Sequence, residues 1–198
     1  KKNINKTIIW APHWSINGEG SVGYSTFDNI YNFFLDYAKK NSEINWIFKP
    51  HQRLRHYLVE VQFMNKSEVD KYYNEWDTLP NTVFVDDMDY LYFFKKSDAL
   101  ITDCGSFLAE YLPTKNPVLH LQNKKNKTGY NEIGEKIISG YYKAFNEYQI
   151  KKFIENVVLS SNDTLKDKRL SNLNLVLPNK IGSGKFIVNF IESTLKRK

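Results

Sequence analysis

The chain has 198 residues, 41% hydrophobic and 25% charged, which is enough to bury a full core in one globular domain. Its single cysteine excludes an internal disulfide framework and indicates a reducing, cytoplasmic compartment. No apolar run reaches 18 residues and the N-terminus does not resemble a signal peptide, so we expect a soluble chain. The net charge of +6 favours anionic partners, although an AT-rich genome would give the same richness in lysine.

Short apolar runs alternate with amphipathic runs along the chain. Strands are predicted at 7–12, 44–50, 82–87, 99–103 and 117–122. Helices are predicted at 26–41, 67–79, 88–97 and 105–115, and then over 131–145, 148–160, 164–173 and 184–197. This alternation is typical of an α/β fold, a doubly wound parallel sheet with a helical C-terminal tail. No repeat or linker interrupts it, so we expect residues 1–198 to form a single domain.

Ligands of such folds bind beyond the carboxyl ends of the strands, so the segments that follow the strands are the candidate site. In this chain those segments are polar or rich in glycine, and they are APHWSINGEG, KPHQR, VDDMD and TDCGS. Because parallel strands end at the same edge of a sheet, several of these segments are expected to line one pocket.

The segment TDCGSFLAEY has the features of a phosphate and ribose site. Gly105 and Ser106 are predicted to begin a helix, where free N–H groups and a serine hydroxyl favour a phosphate. Glu110 lies about one turn further on the same face and can accept hydrogen bonds from ribose hydroxyls. In the alternative interpretation, Ser106 or Asp103 only caps the helix and Glu110 is a solvated surface residue.

The segment KPHQR places a histidine directly after a strand. His51 lies between Lys49 and Arg53, and an imidazole flanked by two cations suits contact with a diphosphate or proton donation to a leaving phosphate. The alternative is a structural histidine at the end of a strand. We take His51 as the catalytic candidate, Lys49 as a phosphate-binding candidate and Arg53 as a weaker candidate.

Weaker candidates lie in three other segments. His13 and Trp14 belong to a glycine-rich loop that matches no nucleotide fingerprint and is either a substrate loop or a flexible surface loop. Asp86 and Asp87 are candidates for base or metal contacts, although Asp87 can equally cap the next helix. Ser183, in a Gly-Ser-Gly turn before the last helix, can hold an anion. No Cys/His cluster has metal-ligand spacing, so we expect no metal and no other cofactor.

Five stretches taken in order carry a family resemblance: IIWAPHWS, WIFKPH, SDALITDCGSFLAEYL, NPVLHL and GSGKFIVNFI. They resemble the CDP-glycerol glycerophosphotransferase family of teichoic acid and capsule synthesis over about residues 7 to 192. The resemblance implies a GT-B enzyme of two Rossmann-like domains, of which this chain is the C-terminal, donor-binding half. We therefore expect the N-terminal acceptor domain to be missing from this chain.

The resemblance also assigns roles to individual residues. His51 matches the histidine of a Lys-Pro-His-Pro motif, which is important for transfer in the family and contacts the donor phosphates. Thr102, Asp103 and Ser106 match positions of a Thr-Asp-Tyr-Ser-Ser motif, so they are donor-binding candidates too.

The sequence departs from the family motifs at several positions. Gln52 replaces the second proline, and Cys104 and Gly105 replace Tyr-Ser. The run DCGSFLAE thereby resembles the Asp-Ser-Gly-Gly-x-x-x-Glu run of UDP-N-acetylglucosamine 2-epimerases, whose glutamate holds the ribose. This supports Glu110 as a ribose ligand and leaves the base open between cytosine and uracil.

The predicted function is transfer of a polyol phosphate or sugar from a CDP- or UDP-linked donor to a growing bacterial surface polysaccharide. The partners are that donor and a polysaccharide or lipid-linked acceptor bound by the missing domain, with no nucleic acid. The alternatives are a UDP-sugar 2-epimerase-like enzyme and a non-catalytic nucleotide-binding or interaction module. We also hypothesise that the basic residues Lys196, Arg197 and Lys198 make a peripheral contact with the inner face of the cell membrane.

Overall fold

The computed structural model describes residues 5–16, 23–86, 89–124, 129–177 and 182–196. The described strands form one six-stranded sheet in the order β3-β2-β1-β4-β5-β6, and every pairing is parallel. The strands are Thr7–Ala11 (β1), Asn45–Phe48 (β2), Thr82–Phe84 (β3), Ala99–Thr102 (β4), Val118–Leu121 (β5) and Tyr142–Ala144 (β6). The predicted doubly wound α/β fold is therefore confirmed.

Helices cover both faces of this sheet and form the C-terminal region, as predicted. They are Phe27–Lys40 (α1), Gln52–Glu60 (α2), Lys66–Thr78 (α3), Leu91–Lys96 (α4), Gly105–Glu110 (α5), Glu132–Ile138 (α6), Glu147–Lys152 (α7), Lys166–Ser171 (α8) and Ser183–Leu195 (α9). A π-helical segment, Phe153–Leu159, continues α7, and short 3₁₀ turns lie at Leu112–Thr114 and Leu173–Leu175. Within the described ranges, no helix combines the length and apolar character needed to cross a membrane.

The central strand β1 is buried on both faces because consecutive side chains point to opposite sides of a strand. Trp10 lies on one face, where its ring stacks on Phe34 and Phe48 with centroids 4.3 and 5.0 Å apart. Ile9 and Ala11 belong to the core on the other face. Both cores immobilise the carboxyl end of β1, where the candidate site begins.

Two elements differ from the sequence-based prediction. Strand β6 lies inside the segment 131–145 that was predicted to be helical, and it exists because Tyr142 to Ala144 pair with β5. Helix α2 was not predicted, although it buries Leu54, Tyr57 and Leu58 at helical spacing. Both elements are short, so a partner strand and the packing of one apolar face decide their conformation more than local periodicity does.

A buried ion pair attaches the C-terminal region to the sheet. Arg169 of α8 is fully buried, pairs with Asp163 and donates to the Lys115 carbonyl at 3.0 and 3.1 Å. The backbone of Gly140 lies against it, since a Cβ added there would come within 2.8 Å of the Arg169 Cα. The guanidinium therefore satisfies polar groups from segments far apart in the chain.

Candidate functional site

A cleft lies where the strand order changes direction, beyond the carboxyl ends of β1, β2 and β4. It has a volume of about 170 Å³ and is lined by Ala11, Pro12, Lys49, His51, Gln52, Tyr90, Cys104, Ser106 and Phe107. The chain runs from β1 outward to β3 and then returns to place β4 on the other side of β1. Open α/β sheets bind their ligands at such a switch point. The fold thus brings together three residues that the sequence singled out, Lys49, His51 and Ser106.

The first turn of α2 fixes the His51 ring through Nδ1 and leaves Nε2 as a hydrogen-bond donor. Its Nδ1 accepts the Arg53 N–H at 3.1 Å, which caps the helix. This bond assigns the proton of the neutral ring to Nε2. Burial, and then the nearby charges of Lys49 and Arg53, lower the pKa of His51. The imidazole is therefore neutral at pH 7 and able to donate one hydrogen bond from Nε2.

Lys49 supplies positive charge at the bottom of the cleft. Its backbone N–H bonds the Trp10 carbonyl at 2.9 Å, which continues the pairing of β2 with β1, and the residue is only 5% exposed. The ammonium lies 5.9 Å from the centre of the Tyr90 ring. A cation in so closed a position interacts more strongly with an anion than an exposed one does.

Helix α5 begins at Gly105, as predicted, and carries Ser106 and Glu110 on one side. Cys104 is the N-cap residue, and its sulfur lies 3.6 Å from the Ser106 hydroxyl. The Glu110 carboxylate accepts a hydrogen bond from the Tyr90 hydroxyl. This bond is the main cause that raises the pKa of Tyr90 to about 12.

Thr102 and Asp103 are buried, and their side chains bond to the protein itself. The Thr102 hydroxyl donates to the Ala11 carbonyl at 2.6 Å and accepts the Cys104 N–H at 2.9 Å. Asp103 accepts the His13 N–H at 2.5 Å and the N–H and hydroxyl of Thr26 at 2.6 and 2.8 Å. Direct contact of these two residues with a donor stays a prediction, and the observed bonds hold the segment after β1 against the end of β4.

Asp103 ties the first loop to the end of β4 at some electrostatic cost. Burial raises the pKa of its carboxyl to about 6, although the hydrogen bonds from His13 and Thr26 act in the opposite direction. Three donors aimed at one carboxylate also set the start of α1, because Thr26 is the N-cap residue of that helix. The loop that carries His13 is therefore fixed against the rim of the cleft.

The weaker candidates His13, Trp14 and Arg53 form a cluster beside His51. The rings of His13 and His51 lie 5.4 Å apart, and burial followed by repulsion from His51 lowers the pKa of His13 to about 4. The Arg53 guanidinium lies over Trp14, 4.2 Å from the ring centre, and 5.2 Å from that of Tyr57. Arg53 thus packs on aromatic rings and is not among the residues that line the cleft.

Other sequence candidates lie outside the cleft. Asp86 is exposed after β3, and Ser183 is exposed at the start of α9. Asp87 lies outside the described residues. Within the described ranges, no three His, Cys, Asp or Glu side chains form a group that could hold a metal ion.

Two aromatic residues that the sequence analysis did not single out form one wall of the cleft. The rings of Tyr90 and Phe107 pack with their centroids 4.8 Å apart. Tyr90 lies in the segment that follows β3, so the rule that led to His51 could have identified it as well. An aromatic wall opposite a cation suits a ligand with a flat ring and a charged group.

Histidine burial predicts a loss of stability in acid. His120 of β5 is 3% exposed, and its burial, followed by the charge of Lys143, lowers its pKa to about 4. Below pH 6.5 this histidine is therefore protonated in the unfolded chain but stays neutral in the folded chain down to about pH 4. We expect this group to cost about 3 kcal/mol of stability as the pH falls from 6.5 to 4. His120→Gln should flatten the dependence of the melting temperature on pH in that window.

The control for this prediction is His56→Gln, which alters an exposed histidine. Asp103 acts oppositely, because its raised pKa makes the folded chain the better proton acceptor between about pH 6 and 3.8 and adds stability as the pH falls. The same slope in His120→Gln and in the unaltered protein would contradict the assignment.

Comparison with known proteins identifies relatives by fold only. No family model and no curated protein sequence matches the chain. Among solved structures, the wall teichoic acid polymerase TagF matches with a TM-score of 0.57 and 17% identity, over 98% of this chain and 44% of the other. S. aureus MnaA in complex with UDP matches with a TM-score of 0.56 and 18% identity, over 97% and 47%. UDP-GlcNAc 2-epimerase from Neisseria meningitidis, bound to UDP-GlcNAc, matches with a TM-score of 0.54 and 17% identity, over 96% of this chain and 44% of the other.

These likenesses have two consequences. At such identities they show the fold alone, and the chain spans less than half the length of each of the three structures. A teichoic acid polymerase, a UDP-bound protein and a UDP-GlcNAc 2-epimerase thus share this arrangement of strands and helices. The chain is a Rossmann-like α/β domain.

Proposed function

We propose that the cleft binds the nucleoside diphosphate of a CDP- or UDP-linked donor, and that the chain is the donor-binding domain of a bacterial transferase. The transferase would move a polyol phosphate or sugar to a growing surface polysaccharide. The observation that carries this proposal is the convergence of Lys49, His51 and Ser106 at the switch point of the sheet. The bound UDP and UDP-GlcNAc of two structures with this fold support a nucleotide ligand.

The cleft can stabilise the leaving nucleotide. When the bond to the transferred group breaks, its electron pair stays on the phosphate oxygen of the nucleotide. Lys49 supplies a full positive charge there, and His51 donates a hydrogen bond from Nε2 because its Nδ1 is already an acceptor. Fixed donors that face a developing negative charge lower the barrier of such a reaction.

Glu110 would hold the ribose. Its carboxylate now bonds the Tyr90 hydroxyl, and a ribose diol can replace that single hydroxyl with two donors. Tyr90 would then be free to pack against the ligand with Phe107. Sugar recognition and closure of the aromatic wall are therefore coupled through one hydrogen bond.

The wider setting belongs to the same proposal. The acceptor would bind mainly to a preceding domain, in line with the greater length of the matching structures. The basic residues after α9 would bring the protein to the inner face of the membrane, where lipid-linked acceptors are found.

A second candidate is an enzyme that epimerises a UDP-sugar. The run from Cys104 through Gly105 to Glu110 favours it, and so do the epimerase structures of the same fold. A third candidate is a non-catalytic nucleotide-binding module, for which nucleotide affinity without any transfer would be the distinguishing result.

Nucleotide titration tests the proposal directly. We expect CDP or UDP, but not GDP or ADP, at a hundred times its dissociation constant to stabilise the fold by about 2.7 kcal/mol. In a chain of this size the melting temperature should rise by about 5 to 11 °C. Glu110→Ala should reduce the shift, whereas Glu132→Ala, at an exposed helix position, should not. A selective response to CDP supports polyol-phosphate transfer, and one to UDP supports a sugar donor or the epimerase.

Tyr90→Phe sharpens this experiment. The change keeps the aromatic wall but removes the hydroxyl that occupies Glu110, so nucleotides should bind more tightly while 2′,3′-dideoxynucleotides should not gain. If no nucleotide shifts the melting temperature of any variant, the chain does not bind a donor by itself and the proposal fails.

A further inference from the structure

Two cavities outside the cleft lie at the same edge of the sheet, beyond β5 and β6. Their volumes are about 280 and 270 Å³, and both are lined by Leu121, Gln122 and Asn123. One extends towards the start of α1 and α7, and the other towards α6. Together they reach the size range of small-molecule sites.

The lining of these cavities is rich in groups that both donate and accept hydrogen bonds. The amide and phenol side chains are Asn29, Gln122, Asn123, Asn146, Tyr24 and Tyr130. Such groups suit neighbouring hydroxyls of a polyol or sugar, because each hydroxyl is also both donor and acceptor. Phe145, which is 47% exposed, adds a ring surface.

Charge at the two cavities favours an anionic group on that ligand. Lys124 lines one cavity and Lys143 the other, with Glu135 as the acidic residue among the lining side chains. The Lys124 ammonium lies 6.0 Å from the centre of the Phe145 ring. A phosphate on the ligand would offset part of this positive charge.

Several lining side chains are already oriented by other parts of the fold. Asn123 donates to the carbonyls of Gly23 and Ser25 at 3.1 and 2.7 Å. The Gln122 amide nitrogen lies 2.9 Å from Nδ1 of the buried His120 ring. Side chains held in this way lose little conformational entropy when a ligand binds.

A continuous row of rings joins these cavities to the cleft. Tyr130 stacks on Tyr24 with centroids 6.0 Å apart, Tyr24 meets the His13 ring at 5.7 Å, and His13 lies 5.4 Å from His51. A ligand in the cavities and a donor in the cleft would thus occupy two ends of one surface. An acceptor bound in the cavities would therefore lie on the same surface as the donor.

We infer that these two cavities bind a phosphorylated polyol or sugar, one repeat unit of the acceptor polymer, beside the donor cleft. This inference rests on the proposed function and extends the acceptor contacts to the present domain. Lys124 and Lys143 bind the phosphate, and the amide and phenol groups around Gln122 bind the hydroxyls.

Titration of the chain with glycerol 3-phosphate, followed by NMR of backbone amides, tests the inference. The amides of Gln122 and Asn123 should shift, and the double variant Lys124→Met, Lys143→Met should bind at least about tenfold more weakly, because it loses charge-assisted contacts. The matched control changes Lys136 and Lys151 to Met, two exposed lysines in ion pairs along their own helices. Glycerol and inorganic phosphate should each bind more weakly than glycerol 3-phosphate.

Three results would overturn the inference: unchanged affinity in the double variant, shifts confined to residues of the cleft, or equally tight binding of inorganic phosphate. A nucleotide titration of the same samples separates the two proposals. Nucleotide binding without glycerol 3-phosphate binding removes the second site and leaves the donor site. Glycerol 3-phosphate binding without nucleotide binding removes the acceptor role and the proposed function with it.

Discussion

Lys49→Met is expected to weaken the binding of a nucleoside diphosphate by about 10- to 150-fold and to leave the binding of the nucleoside unchanged. A hydrogen bond from a charged group contributes about 1.5–3 kcal/mol, and this range corresponds to that factor. Lys49 is 5% exposed at the end of β2, so a mobile lysine on the surface cannot reach the same position and restore the lost charge. Methionine is also unbranched and is close to lysine in length, so the change removes the charge and the N–H donors with little change in shape.

Calorimetric titration with UDP, CDP and the matching nucleosides measures this effect. Arg53→Met is the matched control, because the Arg53 guanidinium packs on Trp14 and should contribute much less to phosphate binding. If Lys49→Met lowered nucleoside and diphosphate affinity equally, the change would act through the shape of the cleft and the assigned role of the ammonium would be wrong.

Arg169→Met is expected to destabilise the fold by about 3–5 kcal/mol, because breaking a buried pair leaves Asp163 as an uncompensated charge. The Lys115 carbonyl also loses both of its guanidinium donors. For a chain of this size the melting temperature should fall by about 6 to 20 °C.

Thermal unfolding of Arg169→Met beside Arg55→Met checks this expectation. Arg55 makes a 2.8 Å pair with Asp70, but both side chains are nearly half exposed, so its loss should cost no more than about 1 kcal/mol. Similar melting temperatures for the two variants would show that the buried pair contributes no more than a surface pair.

Much of the candidate site could be predicted because its chemistry follows strands with a clear apolar pattern. Lys49, His51 and Ser106 each come directly after a buried strand or its following turn, and parallel strands deliver such residues to one edge. The helix that starts at Gly105 was predicted from the same pattern. None of this required knowledge of a contact between distant residues.

The orientation of side chains within the site could not be predicted in this way. Arg53 was a weaker phosphate-binding candidate, and its guanidinium packs on the ring of Trp14, which lies in another loop. Glu110 bonds Tyr90, which is 20 residues away in the chain. The partner of each side chain comes from a distant part of the sequence and lies close only in the folded chain. The local sequence therefore does not indicate which partner a side chain will contact.

The sequence by itself determined the alternation of strands and helices, and with it the edge of the sheet at which a ligand binds, because hydrophobic periodicity is a local property. The tertiary structure alone decided that β6 forms, that Asp103 holds a loop 90 residues away, and that four rings from three segments form one row along that edge. These features depend on pairing and hydrogen bonding between distant segments, whose energies exist only once the core has closed.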